Sequence, residues 1–110
     1  MKPAKKIGNG MFGRNYVSAV LLNDSIYAIG GNSGHLRLNS VERYDIAANQ
    51  WYSAPAMRWM RSDAAAVTLN GTIYVMGGFD GFAPTATMEQ YTPGQRKWSM
   101  GSSMPEKVPV

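Results

Sequence analysis

The chain of 110 residues has a globular composition, with 45% apolar and 16% charged residues, which excludes an intrinsically disordered protein. It contains no cysteine, which excludes disulfides, thiolate nucleophiles and cysteine-based zinc sites. No apolar run approaches the ~20 residues of a transmembrane helix. The net charge is +4, and its basic residues are not gathered on one face, since three lysines lie in the N-terminal tail and Arg96 and Lys97 lie in a turn. We therefore expect a cytoplasmic protein that binds neither nucleic acid nor membranes.

After the basic tail, the sequence predicts four short β-strands. Runs of β-branched and aromatic residues between turn-forming residues are typical of such strands. The first and second strands are joined by the turn Asn23-Asp24, and the second ends on the pair Gly30-Gly31. In chain order, the strands are predicted at residues 16–22, 25–29, 40–44 and from Trp51 onward.

The same four elements recur 47 residues later, so the chain contains an internal repeat. The second set of strands is predicted at residues 63–69, 72–76, 87–91 and from Trp98 onward. Their first turn, Asn70-Gly71, is a strong hairpin signal because both residues tolerate positive φ. Four antiparallel strands in about 45–50 residues form one propeller blade. We therefore predict an all-β fold of two four-stranded antiparallel blades, packed face to face as part of a ring.

Two segments resemble the kelch repeat. Residues 73–81 read IYVMGGFDG and residues 39–45 read NSVERYD, and Trp51 and Arg61 complete the kelch spacing. The second segment is most similar to the kelch-like proteins, which carry BTB and BACK domains ahead of a six-bladed propeller. These proteins are substrate receptors of cullin ubiquitin ligases. The resemblance implies a protein–protein interaction module and a substrate adaptor in the ubiquitin conjugation pathway.

The resemblance divides the chain into four parts. These are a basic N-terminal tail (1–13), two kelch repeats (14–60 and 61–105) and a C-terminal tail (106–110). Two repeats are fewer than the roughly four to eight blades of a closed propeller, and no BTB or BACK segment is present. We therefore expect further kelch blades as partners, supplied by a longer chain or by copies that together make six blades. Uncovered blade faces should leave apolar residues partly exposed, namely Ile26, Ile29, Ile73 and Val75.

Ten repeated residues are assigned structural roles. Glycine pairs let the backbone leave a strand and approach a neighbour closely, and tryptophans fill the widening gap between blades. Each repeated glutamate shares a strand face with a tyrosine inside the blade, so we predict buried carboxylates that need donors. The ten are Gly30, Gly31, Glu42, Tyr44, Trp51, Gly77, Gly78, Glu89, Tyr91 and Trp98.

The candidate binding residues lie in the loops between second and third strands and in the links that enter the first strands. Strand direction places both sets at one end of each blade, where exposed aromatic, histidine and arginine side chains favour interaction hot spots. The alternative is ordinary polar loops whose aromatics pack on neighbours. A protein or short peptide is the expected partner, contacted by Arg14, Asn15, Tyr16, Asn32, Ser33, His35, Arg61, Ser62, Phe79, Asp80 and Phe82.

Catalysis is not expected. His35 is the single histidine, and a zinc site needs about three protein ligands, so we predict no catalytic residue, metal or cofactor. Two alternatives to the substrate adaptor remain open from the resemblance. One is an actin-associated or structural kelch scaffold. The other is a kelch-propeller enzyme acting on sugars, although its copper-radical type uses a Cys-Tyr crosslink that this chain cannot make.

Overall fold

The computed structural model describes residues 14–34 and 36–101, which form two four-stranded antiparallel sheets. Each sheet has its strands in sequential order, which confirms the predicted all-β fold. Among these residues, the single helical element is a 3-10 turn at Pro93–Gln95, and no helix is long and apolar enough to cross a membrane. The strands are β1 (Ser18–Leu22), β2 (Ser25–Ile29), β3 (Val41–Asp45), β4 (Gln50–Ala54), β5 (Ala65–Leu69), β6 (Thr72–Met76), β7 (Met88–Tyr91) and β8 (Trp98–Met100).

The hairpin turns between β1 and β2 and between β5 and β6 have the predicted chemistry. Asn23 and Asp24 have φ of 51° and 62°, and Asn70 and Gly71 have φ of 51° and 78°. Two successive residues with positive φ are the mark of a type I′ turn, whose twist matches that of the flanking strands. The turn chemistry therefore fixes the register of both hairpins.

The first strand of each blade begins later than the sequence predicts. The predicted starts at Tyr16 and Asp63 are wrong, and β1 and β5 begin at Ser18 and Ala65. Tyr16 and Asp63 both have a left-handed backbone, with φ of 55° and 60°, which interrupts the strand. A tyrosine gives no sequence signal for a left-handed backbone, so the residue pattern alone could not show that β1 begins after Tyr16.

The two blades share one apolar core. Each blade has two faces. The back face carries the side chains at the repeat positions of Leu22, Tyr27 and Ile29. The front face carries the side chains at the repeat positions of Ile73, Val75 and Trp98. The back face of blade 1 packs against the front face of blade 2 in a single buried cluster. The rings of Tyr27 and Tyr91 meet edge to face across this interface, with centroids 6.1 Å apart.

The core corrects one expectation about exposure. Ile29, Ile73 and Val75 were expected to be partly exposed, and the structure buries all three. They belong to the two faces that cover each other, so the interface between blades 1 and 2 accounts for their burial. Ile26 lies on the front face of blade 1 and is exposed.

Candidate protein-binding face

A buried ion pair lies at the end of blade 2 from which the long loop between β6 and β7 extends. Arg61 and Glu89 are 1% and 0% exposed, and Arg61 Nη2 lies 3.0 Å from Glu89 Oε2. The guanidinium also donates from Nη1 to the carbonyl oxygens of Gly77 at 2.9 Å and Thr87 at 3.0 Å. Its Nη2 donates to Thr87 Oγ1 at 2.8 Å. The planar donors of arginine therefore join both ends of the loop between β6 and β7.

Glu89 also holds the link between the two blades. Its Oε1 accepts a hydrogen bond from the Arg58 amide at 2.6 Å, and its Oε2 accepts one from the Trp59 amide at 3.0 Å. A buried carboxylate needs such donors, and charge-assisted hydrogen bonds are the strong ones. The glutamate side chain thus ties blade 2 to the segment that leads into it.

Arg14 has the same position in blade 1. Its Nη1 donates to the carbonyl oxygens of Gly30 and Ser40, both at 3.0 Å, and its Nη2 donates to Ser40 Oγ at 2.7 Å. Burial lowers the pKa of Arg14, while the nearby Glu42 carboxylate raises it. Glu42 is itself buried, as Glu89 is. Each blade therefore closes the base of its long loop with an arginine.

Three residues of the predicted binding set must be reassigned. The sequence placed Arg14, Arg61 and Ser62 in contact with a partner, whereas the structure buries all three. Their polar atoms bond to the backbone of the loops and, for Arg61, to Glu89, so they position the surface and do not form it. The sequence pattern shows an arginine at a loop but does not show which way its side chain turns.

The long loops and the links pair at one end of the sheets, which we call the loop face (residues 14–17, 30–34, 36–40, 55–64 and 77–87). Asn15 and Asn32 exchange backbone hydrogen bonds of 2.8 and 2.7 Å, and Ser62 and Phe79 exchange bonds of 3.0 and 2.9 Å. The Gly31 amide donates to the Arg61 carbonyl across the blades at 2.7 Å. The loop face is therefore continuous over both blades.

Side-chain hydrogen bonds give both loop tips a defined shape. Asn32 Oδ1 accepts from the Gly34 amide at 2.8 Å, and Asp80 Oδ1 accepts from the amides of Phe82 and Ala83 at 2.8 and 3.0 Å. Asn and Asp favour such turns because their short side chains reach the backbone two residues on. The turn at Asp80 displays Phe82, which is 89% exposed.

The remaining predicted residues differ in exposure. Asn15, Tyr16, Ser33 and Phe82 are exposed, and Asn32, Phe79 and Asp80 are half-buried. His35 lies outside the described residues. Within residues 14–34 and 36–101, no three His, Asp or Glu side chains gather where they could hold a metal ion.

Sequence reasoning missed four side chains of the loop face. The Arg37 guanidinium lies 5.0 Å from the centre of the Phe79 ring and so joins the two loops by a cation–π contact. Leu36, Trp59 and Met60 are exposed apolar residues. Trp59 and Met60 lie at the end of repeat 1, next to the link residue Arg61, and this position was the available sequence signal.

A groove of about 360 Å³ opens between the first strands of the two blades. The Ser18 hydroxyl donates to the Ala64 carbonyl at 2.7 Å, and the Asp63 amide donates to the Tyr16 carbonyl at 3.2 Å. These bonds connect the blades at the edge where the loop face meets β1 and β5. The groove is lined by Tyr16, Val17, Ser18, Ala19, Asp63, Ala64 and Ala66.

Two packed four-stranded sheets that repeat at 47 residues define two blades of the β-propeller type. The kelch motif matches residues 13–58 and again residues 60–105, and the chain belongs to the kelch family. Kelch repeats are protein–protein interaction modules, so membership gives this general function to the chain.

Curated relatives match parts of the chain. Kelch repeat-containing protein kel-10 of Caenorhabditis elegans is 44% identical over 57 residues, which cover 47% of this chain and 10% of that protein. Kelch-like protein 4 of Homo sapiens is 45% identical over 38 residues, which cover 34% of this chain and 5% of that protein. The chain thus aligns with a tenth or less of the length of each of these relatives.

Proposed function

We propose that the loop face binds a protein or a short peptide, and that this binding selects substrates for a cullin ubiquitin ligase in the cytoplasm. The observation that carries the proposal is the combination of a rigid base and exposed apolar tips. Buried arginines close the base of each loop, while Tyr16, Leu36 and Phe82 are exposed on the same face. Preorganised aromatic side chains contribute affinity because little conformational freedom is lost on binding.

The choice of test residues follows from burial. Arg14 and Arg61 are unsuitable because their removal would disturb the blades themselves. Tyr16, Leu36 and Phe82 are exposed, so a triple alanine variant should keep its fold. Ile46 lies in the turn between β3 and β4, at the opposite end of the blade, and provides an exposed apolar control as Ile46→Ala.

The experiment is a quantitative capture of proteins from cytosol by the wild-type chain and both variants. We expect the triple variant to lose most specifically captured proteins, and Ile46→Ala to retain them. Capture of the same proteins by the triple variant would refute the loop face as the binding surface. A captured substrate should also accumulate with less attached ubiquitin when cullin ligases are inhibited. Co-sedimentation with filamentous actin, without any such accumulation, would instead indicate a scaffold.

A further inference from the structure

Among the residues that the structure describes, nothing covers the back face of blade 2, although the same face of blade 1 is buried. Leu22 in blade 1 is 6% exposed, while its equivalent Leu69 in blade 2 is 58% exposed. Tyr27 is buried and its equivalent Tyr74 is half-buried. The side chains at these two positions are identical, so the difference in their exposure arises because blade 2 covers the back face of blade 1. Val67 extends this apolar surface and is exposed.

Within residues 14–34 and 36–101, the front face of blade 1 is partly uncovered, since Ala28 is buried beside Val17 and Trp51 while Ile26 is exposed. This face matches one that the chain already covers. Ile26, Tyr44 and Trp51 are the equivalents of Ile73, Tyr91 and Trp98. Those three residues of blade 2 are buried against blade 1, whereas their equivalents in blade 1 are exposed or half-buried. The chain therefore presents both halves of its own interface, one half at each end.

We propose that two copies of this chain dock head to tail, with the back face of blade 2 in one copy covered by the front face of blade 1 in the next. The template is the interface between blades 1 and 2. There Tyr27 meets Tyr91 edge to face, so in the assembly Tyr74 meets Tyr44 of the second copy in the same way. A second copy is the occupant that the structure favours because it carries the complementary side chains at the required spacing.

Repeat geometry gives the contact its direction. The two faces differ, so the contact is heterologous, and repeated heterologous contacts close into a ring when the rotation divides a full turn. Three copies would supply six blades, within the roughly four to eight found in propellers. The contact uses the sheet faces and not the loop face, so the inference is independent of the proposed function.

The first test measures the mass of the full 110-residue chain by sedimentation equilibrium over a concentration series. We expect a multiple of the 12.0 kDa chain mass, with thermal stability that rises with concentration because association stabilises the folded copies. A monomer at every concentration, with a melting temperature independent of concentration, would overturn the proposal. The uncovered faces would then belong to contacts with other blades.

The second test blocks the two faces separately. Leu69→Asp alters the back face of blade 2, and Leu21→Asp alters the front face of blade 1, where Leu21 lies opposite Ile26. Both leucines are exposed in the single copy, so circular dichroism should show an intact fold. Ile46→Asp introduces the same charge in the turn between β3 and β4, and this control should assemble as the wild type does.

A mixing experiment distinguishes head-to-tail docking from other contacts. Each blocked variant alone should be a monomer, because each has lost one half of the interface. A mixture of the two should form a one-to-one heterodimer, since the intact back face of the Leu21→Asp copy meets the intact front face of the Leu69→Asp copy. Assembly of either variant alone, or failure of the mixture to associate, would overturn the proposed pairing.

Discussion

Arg61 and Glu89 form a fully buried ion pair whose atoms Nη2 and Oε2 are 3.0 Å apart. The carboxylate is shared between this guanidinium and two backbone amides of the link between the blades. Such a pair does not by itself prove a gain in stability, because desolvation of the charges opposes their attraction. Its evident effect is positional, because it joins the link, the long loop and β7 at one point.

Removal of one partner of this pair should therefore be costly. We expect Glu89→Ala to lower the free energy of unfolding by about 3–5 kcal/mol, since it leaves a buried guanidinium without its counter-charge. Asp45→Ala is the control, because the Asp45–Arg43 pair is 3.6 Å long and a third exposed, and its loss should cost about 1 kcal/mol or less. Loss of the exposed hydrogen bond from the Ala48 amide to Asp45 Oδ1 should add about 1 kcal/mol. Urea denaturation measures both. Equal losses for the two variants would contradict the role assigned to Glu89.

The left-handed backbone of Tyr16 predicts a stabilising substitution. A bulky residue at φ of 55° is strained, and glycine should relieve about 1–2 kcal/mol of that strain. The greater freedom of glycine in the unfolded chain offsets about 0.5–1 kcal/mol, so we expect Tyr16→Gly to raise the free energy of unfolding slightly. Asp63→Gly should gain less, because aspartate tolerates this conformation better. A lower urea midpoint for Tyr16→Gly would show that the tyrosine ring packs more than its 63% exposure suggests.

Gly30 should be far less tolerant of substitution than Gly71. The two have similar φ of 66° and 78°, but a Cβ at Gly30 would lie 2.3 Å from the Arg61 carbonyl oxygen, whereas a Cβ at Gly71 meets no atom within 4 Å. Gly71→Ala should cost about 1–2 kcal/mol through backbone strain alone. Gly30→Ala adds a clash with the backbone of the next blade and should cost clearly more. Thermal unfolding compares the two, and similar melting temperatures would argue against a close approach of the blades.

Alkaline pH should weaken the core between the blades. Burial raises the pKa of Tyr27 and of Tyr91 above the ordinary value of 10.0, and Arg43 opposes the shift at both. The folded state holds these protons more tightly than the unfolded chain, so stability falls as pH rises above about 10. Tyr27→Phe should reduce this fall, as measured by unfolding free energy between pH 8 and pH 12. An unchanged slope in that variant would place the titrating group elsewhere.

The parts of the fold that the sequence predicts are those set by local chemistry. The type I′ turns follow from Asn23-Asp24 and Asn70-Gly71, and the repeat of Trp51 and Trp98 gives the blade architecture. Exposure was harder to predict because it depends on which face meets a neighbour. Ile73 is buried and Ile26 is exposed, although they occupy the same position of the repeat. For the same reason, the orientation of the Arg61 side chain could not be predicted, because it depends on where the fold places the Glu89 carboxylate.

The bonds of Glu89 also bear on how such an array can grow by gene duplication. The amides that this carboxylate binds belong to Arg58 and Trp59, and the arginine that pairs with it is Arg61. All three precede β5, the first strand of the blade that contains the glutamate. A duplicated blade therefore keeps all the donors to its glutamate only when the residues before its first strand are duplicated with it. A copy that begins after Arg61 contains the carboxylate without these donors, so it depends on the end of a preceding repeat to supply them.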